Sequence, residues 1–486
     1  MIDSYLAIAN SPLLWVFLTM VVAAFGIMKV TTLEVKPKHF EAGWLRKNYV
    51  GILMGAATLL AVSALYFYLF GIGVSLSGIV ARLRMAAGDG TSKPEDLRHL
   101  GTTVALLMGV LAAAATIFFS IIRVWINERT ASAAEDALFN DKINNAVADL
   151  HAQRQITKWL RTGAQNGWQD DVTRRNGAID RLEGLAGEEP KAAPRIARML
   201  SVYVRELSRE HPAKTVPTSD DPKVIRDWAR ALTPARPDMQ NAVQVLGRLK
   251  KTTGLPLDSG EIDLTGANLQ RFDLARLDFS SAKMQWAKLQ GADLRGAQLQ
   301  GASLSGAQLQ GARLSGAHLR GASLLGAQLQ RANLSGAQLQ RAHLSVAQLQ
   351  GAHLTVAQLQ GARLDGAKLQ GASLDWAQLQ GADLRGAQLQ GANLSGAQFD
   401  GSTSLTGATL RGAAVRDVDF THAVISTKQL KEMFGDASVT LPGGYGPNHE
   451  SWPEHWSKEN LNMPVDFHTQ WYAFRRSIGQ DPENPT

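Results

Sequence analysis

The chain has no cysteine among its 486 residues, which excludes disulfides and thiolate metal sites. It also lacks a Gly-rich phosphate loop, a zinc-ligand spacing and a nucleophile motif, so no catalytic residue, metal or cofactor is assigned. No Lys or Arg lies between Met1 and Ser11, so the basic start of a secretory signal is missing ahead of the first apolar run. The apolar runs themselves contain no Asp, Glu, Lys or Arg, and intramembrane charge is what marks an ion or substrate pathway.

What is present is periodicity. From Leu264 to Phe399, every fifth residue is Leu, Phe or Met, and the residue two before it is nearly always Ala. On an α-helix, leucines five apart would step about 140° and spiral around the rod. On a flat strand, an odd period would send successive leucines to opposite faces. All of them share one interior only if the chain turns a corner in each unit. Right-angle corners close a square coil in four units, which places Leu294 about 4.8 Å beneath Leu314 in a stacked β-solenoid. Ala292 and its equivalents then point inward, where a cramped corner accepts only a small side chain.

The units Ala267-Asn268-Leu269, Ala292-Asp293-Leu294 and Ala392-Asn393-Leu394 resemble the pentapeptide-repeat family. The resemblance implies a right-handed quadrilateral parallel β-helix over residues 261–426. After Phe399 the inward residues become Leu405, Leu410, Val415, Phe420 and Ile425, so one extra residue near Ser402 forms a corner bulge. About eight coils make a rod on the order of 40 Å long. Gln flanks Leu in alternate units, as at Gln298 and Gln300 or Gln338 and Gln340. Two opposed faces should therefore carry glutamine ladders, with amides bonded along the axis. The gyrase-protecting members of the family resemble DNA, which needs a strongly acidic rod. From Glu261 to Ile425 this chain has 14 Lys and Arg against 11 Asp and Glu. DNA mimicry is disfavoured on that balance, and so is nucleic-acid binding by scattered basic residues.

Residues 1–128 read as a membrane anchor of three transmembrane α-helices, at about 12–28, 49–74 and 102–122. Lys29, Lys36, Lys38, Arg46 and Lys47 follow the first run, which places that loop inside and everything after Ile122 in the cytoplasm of a bacterial inner membrane. Arg82, Arg84, Lys93 and Arg98 in the second loop count against that orientation. Trp15, Trp44, Tyr49 and Trp125 sit near span ends, where amphipathic rings prefer the interface.

Residues 129–255 read as an α-helical domain. Phe139, Ile143, Ala146 and Leu150 keep helical spacing, as do Ile196, Met199, Leu200, Tyr203 and Leu207. This part resembles the helical module that precedes the repeats in many bacterial membrane proteins of this architecture. Beyond the rod, residues 427–486 read as a helical cap, with Thr427 as N-cap and Gly435 as stop, and a Trp-rich tail. Phe467, Trp471, Phe474 and Ile478 share one helical face, which either folds back on the rod or docks a partner or membrane surface.

Among the repeats, Trp286, Arg331, Arg341, Val346, Val356 and Trp376 replace the usual corner Gly. Val356 and Trp376 fall on one corner in adjacent coils and, with Arg341 taken to lie on the same edge, form a candidate contact patch for a partner or a second copy. His343 and His353 fall on opposite faces and so do not pair as metal ligands. The composite reading is a non-enzymatic scaffold in the lipid bilayer, with a protein partner and scope for a homo-oligomer. The alternative is an oligomeric membrane transport or signalling component with a cytoplasmic sensory region.

Overall fold

The computed structural model describes residues 94–160, 163–218, 222–257, 260–461 and 465–481, together with Gly78, Ala81 and Met85. The chain divides into two compact units, Met1–Phe139 and Asn140–Thr486. The apolar runs at 12–28 and 49–74 lie outside the described residues, as do Trp15, Trp44 and Tyr49. The run at 102–122 lies on α1, Pro94–Leu150. Among the described residues no helix is long and apolar enough to cross a membrane.

In the second unit, the end of α1 joins α2 (Val172–Glu188), α3 (Ala193–Glu210) and α5 (Pro237–Thr253). Ile143, Ile179, Leu182, Ile196, Leu200, Met239 and Leu246 are fully buried there. A shorter helix, α4, spans Pro222–Ala231. The expectation of helix throughout this stretch is corrected at β1 (Gln153–Leu160) and β2 (Gly163–Asp170), an antiparallel hairpin registered from Gln153↔Asp170 to Leu160↔Gly163. Its sequence alternates Ile156, Lys158 and Leu160 with Thr157 and Trp159, and Gly163 and Gly167 weaken any helix.

The rod follows the expected coil. Lys288 bridges Asn268 below it and Gln308 above it, each a parallel pairing twenty residues away. The Leu289 N–H donates to the Gln308 carbonyl of the next coil (2.7 Å) and the Gly291 N–H to that of Gln310 (3.0 Å), while the Ala292 N–H closes the corner onto Leu289 (3.0 Å). From Leu264 through Leu394 every fifth residue is buried, as is each alanine two before it; Leu277, in an alanine's place, is only partly buried. The extra residue appears as the lengthened pairing Asp383↔Ser404. There the Asp400 carboxylate accepts the Gly381 N–H (2.9 Å), and the Thr403 hydroxyl donates to the Leu379 carbonyl (2.9 Å), so side chains replace the interrupted ladder.

Both ends of the rod are closed by the chain itself. In later coils the outward residue before each Leu donates its N–H to the coil below, as Lys283 does to Ile262 and Gln298 to Leu277, both at 2.9 Å. The first coil has no coil below. Its amides at Asp263, Asn268 and Asp273 donate to Ser201 Oγ (3.2 Å), Ser208 Oγ (2.9 Å) and Gln240 Oε1 (3.4 Å). The fourth, at Asp278, donates to the Gly247 carbonyl at 2.9 Å. The helical domain is thus the amino-terminal cap that an open solenoid edge requires.

At the other end the ladder continues past residue 426, through Ala414↔Phe434 and Asp419↔Thr440. Helix α6, Thr427–Glu432, is inserted into that last coil. Its N-cap is Ser426 rather than Thr427, in a reciprocal capping box with Gln429, and its C-cap is Met433. The tail helix α7, Val465–Ser477, completes the cap.

Candidate functional site

Corners set the surface chemistry of the rod, because each demands a left-handed residue. The corner glycines have φ near +65°, for example Gly296 at 63° and Gly316 at 65°. Val346 and Val356 hold φ 51°, Trp376 55°, Arg341 57°, Arg331 58° and Trp286 59°. For a β-branched side chain this is a true outlier, and an L-residue there costs roughly 1–2 kcal/mol. Val356 (49% exposed) and Trp376 (54%) share one corner in adjacent coils, while Trp286 and Val346 share the diagonally opposite one. The Trp376 indole lies flat over Gly396, its Cδ2 2.4 Å from where a Cβ there would stand. Val356 points the other way, toward Gly336. Arg341 is a correction. It stands on the neighbouring corner, where its stem runs over Gly361, because fifteen residues from Val356 is three units and not four.

The tail residues are turned onto the rod. Phe467 and Trp471 are buried in one cluster with Ala414 and Phe434, and Phe474 packs partly buried at its edge. Trp471 Nε1 donates to the Gly412 carbonyl (2.8 Å), and Gln480 Nε2 to Arg411 (3.0 Å). Arg411 in turn donates to the Ile478 carbonyl. The aromatic face of the tail therefore caps carbonyls of the last coil and is not a surface turned outward. Trp125 is partly buried on α1, beneath the Arg129 guanidinium at 5.3 Å.

Two faces carry the glutamine ladders. Gln290 Nε2 donates to Gln308 Oε1 (2.6 Å), Gln310 to Gln328 (2.6 Å) and Gln330 to Gln348 (2.7 Å) on one face. Gln380 to Gln398 (2.8 Å) does so on the opposed face. The two intervening faces mix Ser, Asn, His, Arg and Asp. His343 bridges Ser323 and Arg363, whereas His353 bridges Asn333 and Ser373 on the other side. Burial, reinforced by Arg331, pushes the His353 pKa down. Among the described residues no group of side chains could hold a metal ion.

The densest electrostatic cluster lies in the helical cap, where sequence patterning gave no signal. Asp238, fully buried, accepts from Tyr203 Oη (2.8 Å) and from Arg236 Nε (2.9 Å) and Nη2 (2.7 Å). Asp170, at the end of the hairpin, accepts from Arg175 (2.7 Å) and Arg236. Burial pushes the Asp238 carboxyl up, but the bonds from Arg236 and Tyr203 outweigh it and hold its pKa below the ordinary value. Burial and the Asp238 charge push the Tyr203 pKa up. Each carboxylate is saturated by guanidinium donors, so the cluster ties the hairpin to α2, α3 and α5.

Eight copies of a family model described as pentapeptide repeats match the chain, over residues 261–296, 297–336, 332–371, 367–403 and 377–421. Among solved structures, a pentapeptide repeat protein of the Arabidopsis thaliana thylakoid lumen is 32% identical, covering 24% of this chain and 79% of its own, with a TM-score of 0.16. One from Nostoc PCC 7120 is 40% identical over 19% of this chain and 69% of its own, with a TM-score of 0.15. HetL from Nostoc sp. strain PCC 7120, a pentapeptide repeat protein involved in heterocyst differentiation regulation, is 26% identical over 36% and 83%, with a TM-score of 0.26. No curated protein matches. With eight copies of that family model matched over residues 261–421, the rod belongs to the pentapeptide-repeat family.

Proposed function

We propose that this protein is a non-enzymatic scaffold, anchored in a bacterial inner membrane by its amino-terminal apolar runs, that displays the rod to a protein partner in the cytoplasm. The observation that carries the scaffold reading is that both rod ends are closed by the chain's own helices, while the apolar corners at Trp286, Val346, Val356 and Trp376 are exposed and strained. The positive φ of exposed Val356 and Trp376 costs stability where Gly would not, which favours a role in contact with something else. Anchoring is supported by the uncharged runs of the sequence and by Ile117, Phe119 and Ile121 on α1, each 60% exposed or more.

Two measurements test this reading. Photo-crosslinking residues placed at Trp376 and Gln360 in native membranes should each capture a protein in discrete bands. Absence of any adduct from both positions would sink the interaction role. Protease added to sealed spheroplasts should leave a carboxy-terminal tag intact, and its digestion would reverse the topology.

A further inference from the structure

Residues 211–218 and helix α4 lie against one side of the rod as a strap. Asn268 Nδ2 donates to the His211 carbonyl (2.9 Å). Gln270 then grips the backbone of Lys214 from both sides: its Oε1 accepts the Lys214 N–H (2.9 Å) and its Nε2 donates to the Lys214 carbonyl (2.8 Å). Helix α4 follows and lays Ala229 against a rod corner. A Cβ on Gly291 would stand 2.5 Å from the Ala229 carbonyl oxygen, and one on Gly311 would stand 3.0 Å from the Ala229 Cβ. Arg271 lies beneath, its Cδ 2.9 Å from the same point on Gly291. The strap covers Gln270, Gln290 and Gln310, all buried.

The site repeats. A solenoid is periodic, and sixty residues further along the same corner reads Arg331, Gly351, Gly371 where the strap meets Arg271, Gly291, Gly311. Beside it stand Gln330, Gln350 and Gln370 in place of Gln270, Gln290 and Gln310. Arg331 lies on Gly351 as Arg271 lies on Gly291, its Cδ likewise 2.9 Å from the Cβ position. The amide ladder is continued by Gln330 and Gln370, each bonded to the next coil (2.7 and 2.6 Å). These three glutamines are partly exposed, and the Oε1 of each has no hydrogen-bond partner, as is also true of Gln310 under the strap, of Gln390, and of Gln300, Gln340, Gln360 and Gln380 on the opposed ladder.

We infer that the surface around Gln330, Gln350 and Gly371 is a second site of the same build, which takes an extended polypeptide segment of a partner protein that leads into a short helix with a small residue at the corner. The seated strap defines the chemistry: side-chain amide to backbone, then Ala on Gly. A second copy is the poorer occupant, because each copy's strap is held by Asn268, Gln270 and the Gly291–Gly311 corner of its own rod. The inference rests on the rod being an interaction module and specifies where and what it binds.

The probe is a fluorescent synthetic peptide of the chain's own residues 211–232, added to the full-length protein and followed by anisotropy. Saturable binding is expected, weakened at least roughly tenfold by Gln330→Ala, by Gly371→Trp, and by Ala229→Leu within the peptide. Corners accept Trp, as Trp286 and Trp376 show, so Gly371→Trp blocks the site without unfolding the rod. Gly316→Trp, on another corner with nothing within 4 Å, should leave binding unchanged. The inference fails if no saturable binding occurs, if Gly316→Trp and Gly371→Trp act alike, or if only Gln270→Ala matters, which would mean exchange with the resident strap. A dimer in light scattering that dissolves on Gly371→Trp would assign the site to a second copy instead. The interaction role itself would survive any of these failures so long as crosslinks form at Trp376 or Gln360.

Discussion

Gly247→Ala inverts the ordinary rule for a glycine inside a helix. In an unobstructed helix the change stabilises by about 0.5–1 kcal/mol, since alanine loses less backbone freedom on folding. Here α5 lies directly on the first coil. The new Cβ would stand 2.7 Å from Leu277 Cβ and 2.9 Å from Phe279 Cζ. Leu277 Cβ is fixed to its backbone and cannot swing aside, so the helix must retreat. Retreat strains core packing by about 1–3 kcal/mol and stretches the Asp278-to-Gly247 hydrogen bond, which leaves an amide at the rod's edge at a cost of about 1–3 kcal/mol. After the propensity gain, the net loss is roughly 1–5 kcal/mol. Gly184 in α2 is the control, with nothing within 4 Å of its added Cβ, and Gly184→Ala should stabilise by about 0.5–1 kcal/mol. Denaturant titrations read by circular dichroism and Trp fluorescence decide it. If both variants shift the midpoint upward, the helical domain is not sealing the rod.

Leu334→Asp should collapse the rod, at a cost of about 4 kcal/mol or more, because it buries an unpaired charge in a fully enclosed column, whereas Gln338→Asp should shift the thermal midpoint little; equal damage from both would overturn the inward and outward assignment. Val356→Gly should raise stability by about 1 kcal/mol in thermal melts by relieving φ 51°, and a loss would mean the valine is packed rather than strained. At the bulge, burial pushes the Asp400 pKa up, but hydrogen bonds from Gly381, Ser402 and Thr403 hold it lower, at about 2. A depressed carboxyl stabilises the fold above its unfolded pKa near 4 and loses that contribution as pH falls toward 2. Asp400→Asn should therefore flatten the stability profile between about pH 4 and pH 2, and an unchanged profile would refute the role of the bulge carboxylate.

A period of five fits neither a helix nor a flat strand, so the leucine spacing alone required one corner per unit, while four units per coil came from right-angle corners, as the family resemblance implies. The inward Leu and Ala columns, the amide ladders, the bulge near Ser402 and the placement of Val356 with Trp376 were all legible, because in a solenoid position in the coil follows from residue number. That same arithmetic places Arg341 on the neighbouring corner. The hairpin at Gln153–Asp170 was missed because short β segments between helices leave only a weak alternation. Only the tertiary structure decided how the rod ends are closed. Ser201, Ser208, Gln240 and Gly247 read in sequence as unremarkable helix positions, and their role exists only where α3 and α5 meet four unpaired amides. Likewise Phe467 and Trp471 showed an apolar face, but whether it turned inward or outward depended on the carbonyl of Gly412 and the ring of Phe434, which no local pattern places beside them. A repeat fixes the contacts it makes with itself; contacts between unlike segments are set by packing, which a sequence period does not encode.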